Sequence, residues 1–371
     1  MKLKPYLATG LILIVALVLL GGCAGNDQAN SSPDSDISGA LTITDTEGRV
    51  TVLENEAERV IAIGSALRLY TYIAGTDRLC GVEKAQQDTT SGRPYIMANP
   101  ALSKLPFVGE GFPSDPNAEL LLAADPDVII AGNIMDTASI DELQNKIGIP
   151  IIIVDTGSDN RIANEKMIQS LQIIGQVIGK ESRAEEIIDF LRDCEADLEA
   201  RTEDIPDTEK PTMYVGGLSF KGMHGIEGTA ANSPLLATIH ANNVVDELGQ
   251  SGSFEIDKEK ILEWDPEVLI IDGGGLGLVL ADFEKNPSFY ANLSAVKNNR
   301  VYLQLPYTNY YNNVETAIAD AYFIGSVIYP EAFADIDPAN KADEIYCFML
   351  GVPLYAEMAA LTGSYGPLTL D

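Results

Sequence analysis

The sequence predicts an α/β protein of two Rossmann-like lobes with parallel sheets, joined by a single long α-helix. Three observations predict this fold. Short apolar runs alternate with helical patterns in two separate sets, which is typical of parallel sheets covered by helices. One long amphipathic stretch lies between the two sets, and the same sequence pattern occurs once in each of them.

The first set of apolar runs predicts an N-terminal lobe over residues 40–180. It opens with an expected β-hairpin over 42–52, whose turn is placed at Glu47 and Gly48. A buried strand at 59–64 leads into a helix that we expect to stop at Gly75. The other strands predicted for this lobe are at 79–83, 127–132 and 149–155.

The second set predicts a C-terminal lobe over residues 204–371, ending in one C-terminal helix within 341–358. Its predicted strands are at 212–218, 243–247, 267–273 and 300–305. Between the lobes, residues 181–203 predict a bridging helix, because apolar side chains recur there at helical spacing and form one face. These side chains are Ala184, Ile187, Ile188, Leu191, Cys194 and Leu198.

An internal repeat supports the division into two lobes. Residues 119–130 read ELLLAADPDVII and residues 259–270 read EKILEWDPEVLI, so the two segments match at a constant offset of 140. In each segment a helix is ended by Asp-Pro and a buried strand follows. The two lobes are therefore expected to be duplicated relatives of one another.

The N-terminus is expected to be a targeting segment rather than part of the fold. Residues 1–22 combine a basic start with an apolar run, which is typical of a signal peptide. The sequence LGGC that ends this run is similar to a lipoprotein box, with Cys23 as the lipidated residue. A plain signal peptide or a membrane anchor is the alternative. Residues 23–39 are polar and predict a flexible tether that holds the lobes at the outer face of the membrane.

Composition excludes several classes of function. A formal net charge of −31 argues against nucleic acid or an anionic membrane surface as a partner, because phosphates must be neutralised by Lys and Arg. With only two histidines and widely spaced cysteines, the chain has no metal-cluster pattern. The segment GLSFKG lacks the second glycine of a serine-hydrolase elbow, and GGGLGL lacks dinucleotide-binding spacing. The sequence therefore gives little support to a surface enzyme or an adhesin, which we keep only as a remote alternative.

Three motifs resemble one known family. They are DTEGRVTVLENEAERVIAIG, DPNAELLLAADPDVIIAG and FEIDKEKILEWDPEVLIIDGG, and the likeness covers residues 40–335. In this order they resemble the substrate-binding lipoproteins of ABC importers that carry iron–siderophore complexes, haem and vitamin B12. The resemblance implies two α/β lobes bridged by one helix, with a ligand cleft between the lobes.

Ligand-binding residues are expected in the loops that follow the strands, since open α/β sheets bind ligands beyond their carboxyl ends. Arginines in these loops can grip a carboxylate, and tyrosines and asparagines offer flat faces and hydrogen bonds. His224, in a Gly-rich loop, is a candidate ligand to the metal of a chelate. The alternative roles are ion pairing for the arginines, packing for the tyrosines, helix capping for the asparagines and hydrogen bonding by a neutral ring for His224. The ligand-binding set is Arg68, Arg93, Tyr95, His224, Tyr307, Asn309, Tyr310 and Tyr311.

The resemblance also implies the partners. No intrinsic cofactor is expected. The transported ligand is expected to be an Fe(III) complex, either a siderophore or a carboxylate-type chelate, with a corrinoid or haem as the alternative. The complex would be delivered to an ABC importer, a permease dimer with its ATPase. Glu119 and Glu259, at equivalent positions of the repeat, match the family positions that meet arginines of the two permease subunits.

Overall fold

The computed structural model describes residues 40–111, 113–132, 135–157 and 161–370. The signal peptide, the lipidation of Cys23 and the tether, all predicted within 1–39, lie outside the described residues. Within the described part of the chain, no single helix is long and apolar enough to cross a membrane. Two consecutive C-terminal helices, Pro338–Leu350 and Tyr355–Thr362, reach the required length and hydropathy only when taken together, and they are bent by 115° at their junction.

The N-terminal lobe is built on a four-stranded parallel sheet in the order β4-β3-β5-β6, preceded by the predicted antiparallel hairpin β1–β2. Its strands are β1 (Leu41–Thr44), β2 (Val50–Leu53), β3 (Val60–Gly64), β4 (Leu79–Gly81), β5 (Val128–Gly132) and β6 (Ile151–Val154). Its helices are α1 (Ala66–Ala74), α2 (Pro94–Met97), α3 (Ala118–Ala123), α4 (Thr137–Ile147) and α5 (Glu165–Val177). The first helix ends at Gly75, as predicted, because this residue takes a positive φ of 57°.

A single helix, α6 (Glu181–Thr202), leads from this lobe to the next. The C-terminal lobe contains a five-stranded sheet in the order β13-β12-β11-β7-β9 and a separate pair, β8–β10. Its strands are β7 (Thr212–Gly216), β8 (Gly228–Ala231), β9 (Asn242–Asn243), β10 (Gly252–Glu255), β11 (Val268–Asp272), β12 (Val301–Gln304) and β13 (Gly366–Pro367). Its helices are α7 (Pro234–Thr238), α8 (Lys258–Trp264), α9 (Leu276–Lys285), α10 (Pro287–Asn292), α11 (Ser294–Lys297), α12 (Val314–Ile328), α13 (Pro338–Leu350) and α14 (Tyr355–Thr362).

The repeat corresponds to equivalent elements of the two lobes. Helices α3 and α8 and strands β5 and β11 are related by the same offset of 140 residues, and each strand lies inside its sheet. The Asp-Pro junctions also match in conformation, since Asp125 has φ 50° and Asp265 has φ 42°. A left-handed residue followed by proline ends each helix sharply and turns the chain into the buried strand.

Apolar packing joins the lobes into one body. Alternate residues of each central strand point to opposite faces, so Val60 and Val268 face one core and Ile61 and Leu269 face others. The core that contains Val60 and Val268 is shared by both lobes and includes the buried face of α6. The other two cores each belong to one lobe. The shared core therefore fixes the lobes to the bridging helix.

Helix α13 adds a second connection between the lobes. The ring of Phe348 stacks on Phe190 of α6, with ring centroids 4.0 Å apart. Arg183 of α6 donates hydrogen bonds to the backbone carbonyl of Phe348 and, at 3.3 Å, to that of Tyr72 in α1. The C-terminal segment thus braces the bridging helix against the N-terminal lobe.

Two sequence predictions for the C-terminal lobe are wrong. Residues 243–247 do not form a strand; pairing stops after Asn243, and a short 3₁₀ helix, Val244–Leu248, follows. The expected single C-terminal helix is two helices, because Gly351 takes a left-handed φ of 83° and ends α13. The second break carries a sequence signal, because Gly351 followed by Pro353 is typical of a helix C-terminus, whereas the first depends on tertiary packing.

We expect ligand binding to rotate the lobes only slightly, because a helix bends far less than a loop hinge and the shared core resists shear. Small-angle scattering should give nearly equal radii of gyration with and without ligand. The Phe348→Ala variant, which loses the brace, should show a larger difference. A large drop in the wild-type radius on loading would contradict this expectation.

Candidate functional site

The loop after β12 crosses from the C-terminal lobe to the N-terminal lobe. We call residues 307–313 the latch loop. Asn309 donates its side-chain N–H to the carbonyl of Ser91 at 2.7 Å, and the Tyr310 hydroxyl lies 3.4 Å from the Glu83 carboxylate. The latch loop therefore closes one end of the cleft by direct bonds between the lobes.

The backbone of the latch loop is strained. Tyr310 and Tyr311 have φ of 54° and 68°, a left-handed conformation that costs a residue other than glycine about 1–3 kcal/mol. Their rings meet edge to face at 5.6 Å. The turn is held by a hydrogen bond that the backbone N–H of Asn313 donates to the backbone carbonyl of Tyr307 at 2.7 Å. Consecutive strained residues at a lobe interface are typical of a functional loop.

Arg68 anchors the latch loop from the N-terminal lobe. It lies in the first turn of α1 and is 1% exposed. Its guanidinium donates to the Tyr310 carbonyl and, at 3.1 Å, to the Asn313 side chain, and it lies 4.8 Å from the centre of the Tyr95 ring. Its Nη1 has no hydrogen-bond partner among the described residues. The predicted ligand contact is thus enclosed between the lobes.

A buried carboxylate balances this charge. Glu315, in the first turn of α12, is fully buried and accepts a hydrogen bond from the Tyr72 hydroxyl of α1. Burial raises the pKa of Glu315, and the nearby Arg68 opposes that rise. The cation and the acid come from different lobes, so their attraction holds the two lobes together.

Arg93 and Tyr95 lie in the same region. Arg93 donates to the Ser91 hydroxyl at 2.9 Å and to the Ala85 carbonyl, and its guanidinium lies 5.2 Å from the centre of the Tyr310 ring. The Tyr95 hydroxyl donates to Gln86 at 2.9 Å. The structure therefore brings together the predicted arginines and the predicted tyrosine–asparagine cluster, and they contact one another.

His224 is separate from this group. One ring nitrogen lies 2.9 Å from the Glu255 carboxylate and the other 2.8 Å from the Phe220 carbonyl, and the ring stacks on Phe220. Burial disfavours the charged ring, but the bonds to Glu255 and Phe220 outweigh this effect and raise the pKa of His224. With both nitrogens bonded, His224 would have to give up a partner to ligate a metal.

The two candidate docking acids occupy equivalent exposed positions. Glu119 lies in the first turn of α3 and Glu259 in the first turn of α8, both at the solvent-facing surface. An acid in a first turn is favourable beside the helix dipole, so each is well placed at its helix start.

An open cavity of about 260 Å³ lies between the lobes. Its walls are mostly small hydroxyl, amide and apolar groups, and Arg161 is the one charged side chain among the described lining residues. The N-terminal lobe contributes Thr156, Gly157, Arg161, Ile162, Asn164 and Met167. The C-terminal lobe contributes 230–235, 251–253, Tyr307, Thr308, Asn312, Val314 and Ala317.

Sequence reasoning identified only the latch-loop part of this cavity. The loop after β6 follows a predicted strand, so the carboxyl-end rule applied to residues 149–155 would have found it. Strands β8 and β10 carry no comparable signal, because their sequences are short and rich in small residues.

Buried acids lie beneath the cavity. Asp272 is fully buried at the end of β11 and accepts from the Gly274 amide at 2.8 Å and the Gln304 side chain at 3.1 Å. Burial raises its pKa to about 7, although both bonds oppose the rise. Asp320 of α12 is also buried and accepts from the Tyr365 hydroxyl at 2.7 Å, and burial raises its pKa further above its ordinary value.

Comparison with known proteins places this architecture among transport proteins. The family described as periplasmic binding protein matches residues 73–306. An uncharacterised ABC transporter substrate-binding lipoprotein of Bacillus subtilis, YvrC, is 22% identical over 296 residues, which are 78% of this chain and 87% of the relative. The Fe(3+)-citrate-binding protein YfmC of the same organism is 21% identical over 291 residues, covering 78% of this chain and 86% of the relative.

A third sequence relative and one solved structure are also similar to this chain. A cobalamin-binding protein of Halobacterium salinarum is 24% identical over 312 residues, covering 78% of each chain. The crystal structure of a periplasmic solute binding protein from Veillonella parvula aligns with a TM-score of 0.68 at 19% identity, covering 87% of this chain and 97% of that one. These likenesses support the two-lobed architecture predicted from the sequence.

Asp272 should make the protein less stable at neutral pH than in mild acid. Its folded-state pKa of about 7 lies above the ordinary value of 3.8, so the folded state favours the neutral acid. This contribution is complete below about pH 4 and is lost as the pH rises to about 7, amounting to roughly 4 kcal/mol. Asp272→Asn should remove that loss, since Gln304 can turn its amide to accept from the new side chain.

The measurement is the free energy of unfolding in urea between pH 4 and pH 8. Asp320 and Glu315 shift in the same direction, so the variant should keep a weaker slope of the same sign. Asp204→Asn, which removes a charge at an exposed position, is the matched control. Equal slopes in wild type and Asp272→Asn would contradict the assignment.

Proposed function

The chain belongs to the periplasmic binding protein family, and on that basis we propose that it captures an iron chelate of the carboxylate type between its lobes and delivers it to an ABC importer. The B. subtilis relative that is named for binding Fe(3+)-citrate supports this ligand class. The chain itself needs no resident cofactor for this role, because the Fe(III) complex is its cargo.

The observation that carries the proposal is the cavity between the lobes. Ligand sites for small molecules typically have volumes of about 300–1,000 Å³, and the 260 Å³ here lies just below that range. A compact metal–carboxylate complex suits this volume. A haem or a corrinoid is several times larger and would require the lobes to separate. Hydroxyl and amide groups on the walls can bond to the polar edge of a small chelate.

A corrinoid is the second candidate, favoured by the relative that binds cobalamin and by the neutral character of most of the cavity wall. This candidate requires the latch loop to leave the N-terminal lobe, because the loop closes one end of the cleft. Opening would uncover Arg68, Arg93, Tyr95 and Tyr310 together. We therefore retain these residues as predicted ligand contacts of an opened cleft, with His224 at its side.

Delivery requires a partner at the membrane. We place the protein at the outer face of the cytoplasmic membrane, held by a lipid on Cys23, because the LGGC sequence and the B. subtilis lipoprotein relative agree. The family role implies a permease dimer and its ATPase. Glu119 and Glu259 are exposed at equivalent positions of the two lobes, so they can meet two symmetry-related basic sites.

The ligand class can be tested by titrating the protein with ferric citrate, a ferric hydroxamate, a ferric catecholate, haem and cobalamin. We expect ferric citrate to bind most tightly, because the cavity is small and the Arg161 side chain in its wall can bind a carboxylate. Calorimetry gives the affinities, and the absorbance spectrum of protein isolated from its source identifies a bound chromophore. Tightest binding of cobalamin would replace this proposal with the corrinoid alternative.

The docking role can be tested by charge reversal. The double variant Glu119→Arg/Glu259→Arg should keep the wild-type affinity for ligand, because both residues lie outside the cleft. It should lose ligand-dependent stimulation of the importer's ATPase in vesicles. Glu142→Arg/Glu284→Arg, which reverses exposed acids on α4 and α9 of the same lobes, controls for net charge. Normal stimulation by the first double variant would show that docking uses other groups.

A further inference from the structure

We infer that Arg161 is a ligand-contacting residue of the cavity and that Glu195, on the bridging helix, positions its guanidinium. The inference rests on the proposed function of the cavity, and it deepens that function by assigning a cation the sequence analysis did not select. Arg161 lies in the connection between β6 and α5 and lines the cavity with Ile162 and Asn164.

The geometry of the pair fixes the plane of the guanidinium. Nε of Arg161 donates to Oε1 of Glu195 at 3.2 Å, and Nη2 donates to Oε2 at 3.0 Å. A two-point bond of this kind sets orientation as well as distance. The Arg161 side chain is 63% exposed while it makes this bond, so a ligand in the cavity can reach it.

Burial shows which partner positions the other. The Glu195 side chain is 4% exposed, whereas that of Arg161 is 63% exposed. Glu195 is fixed by the buried face of α6, where Leu191 and Leu198 lie in the shared core. A rigid, buried carboxylate thus holds a cation that extends to the mouth of the cavity. The cost of leaving that carboxylate without a partner keeps Arg161 in place.

The surroundings define the chemical class of the ligand. The first turns of α5 and α12 contribute Met167, Val314 and Ala317 to the cavity wall, so two long helices begin at the cavity. Helix starts carry partial positive charge and favour anions. Together with Arg161 they suit a carboxylate group of a metal chelate, which accepts from a guanidinium in the geometry that arginine offers.

The first test compares ferric citrate binding by the full chain in detergent and by two variants. Arg161→Gln should weaken binding roughly ten- to a hundredfold, as expected for loss of a charge-assisted hydrogen bond. Arg192→Gln removes the same charge from an exposed arginine of α6 that pairs with Asp189, and it should bind like wild type. Arg161→Gln leaves the buried Glu195 carboxylate without its partner, so the thermal unfolding midpoint should fall, and binding is compared well below that midpoint.

The second test separates positioning from general electrostatics. Glu195→Gln should weaken binding severalfold, because the guanidinium loses its two-point hold, whereas Glu195→Asp should restore most of the affinity. In an Arg161→Gln background, Glu195→Gln should cost no further affinity, since it acts only through Arg161. A purely structural role of Glu195 would instead lower affinity in both backgrounds.

The outcomes distinguish the inference from the proposed function. If wild type binds ferric citrate and Arg161→Gln binds it equally well, the inference is overturned and the proposed function stands. If Glu195→Gln tightens binding, Glu195 competes with the ligand and does not position Arg161, which overturns that part. If wild type binds no carboxylate chelate, the proposed function fails, and the inference falls with it.

Discussion

The guanidinium of Arg68 carries a positive charge and is enclosed at the junction of the two lobes. The arrangement of the cleft depends on the groups that accept its hydrogen bonds and balance its charge. A charge with so little access to water needs acceptors and counter-charge close by. The acceptors come from the latch loop and the counter-charge from Glu315 of α12, all in the C-terminal lobe. Satisfying one residue of α1 therefore brings the lobes together, fixes the start of α12 and strains two tyrosines.

This arrangement divides the space between the lobes into a closed part and an open part. The closed part holds Arg68, Arg93, the latch-loop tyrosines and Glu83, and most of its polar groups already bond within the protein. The open part is the cavity, where Arg161 extends from a buried carboxylate on the bridging helix. A ligand can use the open part as it stands. Use of the closed part requires breaking bonds between the lobes, so ligand size decides how much of the interface must change.

Most of the fold could be predicted from the sequence because strong local signals agree with tertiary packing. The apolar strands at 59–64 and 127–132, the helical face of residues 181–202 and the repeated Asp-Pro junction each specify one element. The latch loop was also singled out in the sequence, because a polar aromatic cluster follows a buried strand, and its role in ligand binding stays a prediction. Contact between Arg68 and Tyr310 could not be foreseen, since it joins residues more than two hundred positions apart. The wall formed by β8 and β10 depends on short strands that acquire structure only by pairing with each other.

The duplicated faces around α3 and α8 are alike in backbone and unlike in side chains. Beside Glu119, on the same helix, Leu122 is 46% exposed. Beside Glu259, Lys260 lies 3.1 Å from both Glu247 and Glu263 and sits over the ring of Trp264. A two-fold symmetric surface would thus meet an exposed apolar side chain beside one acid and a cluster of ion pairs beside the other. Turning the molecule by half a revolution on such a surface gives an equivalent complex, but the two halves of that complex differ, and contacts on the Glu259 side are the more sensitive to ionic strength.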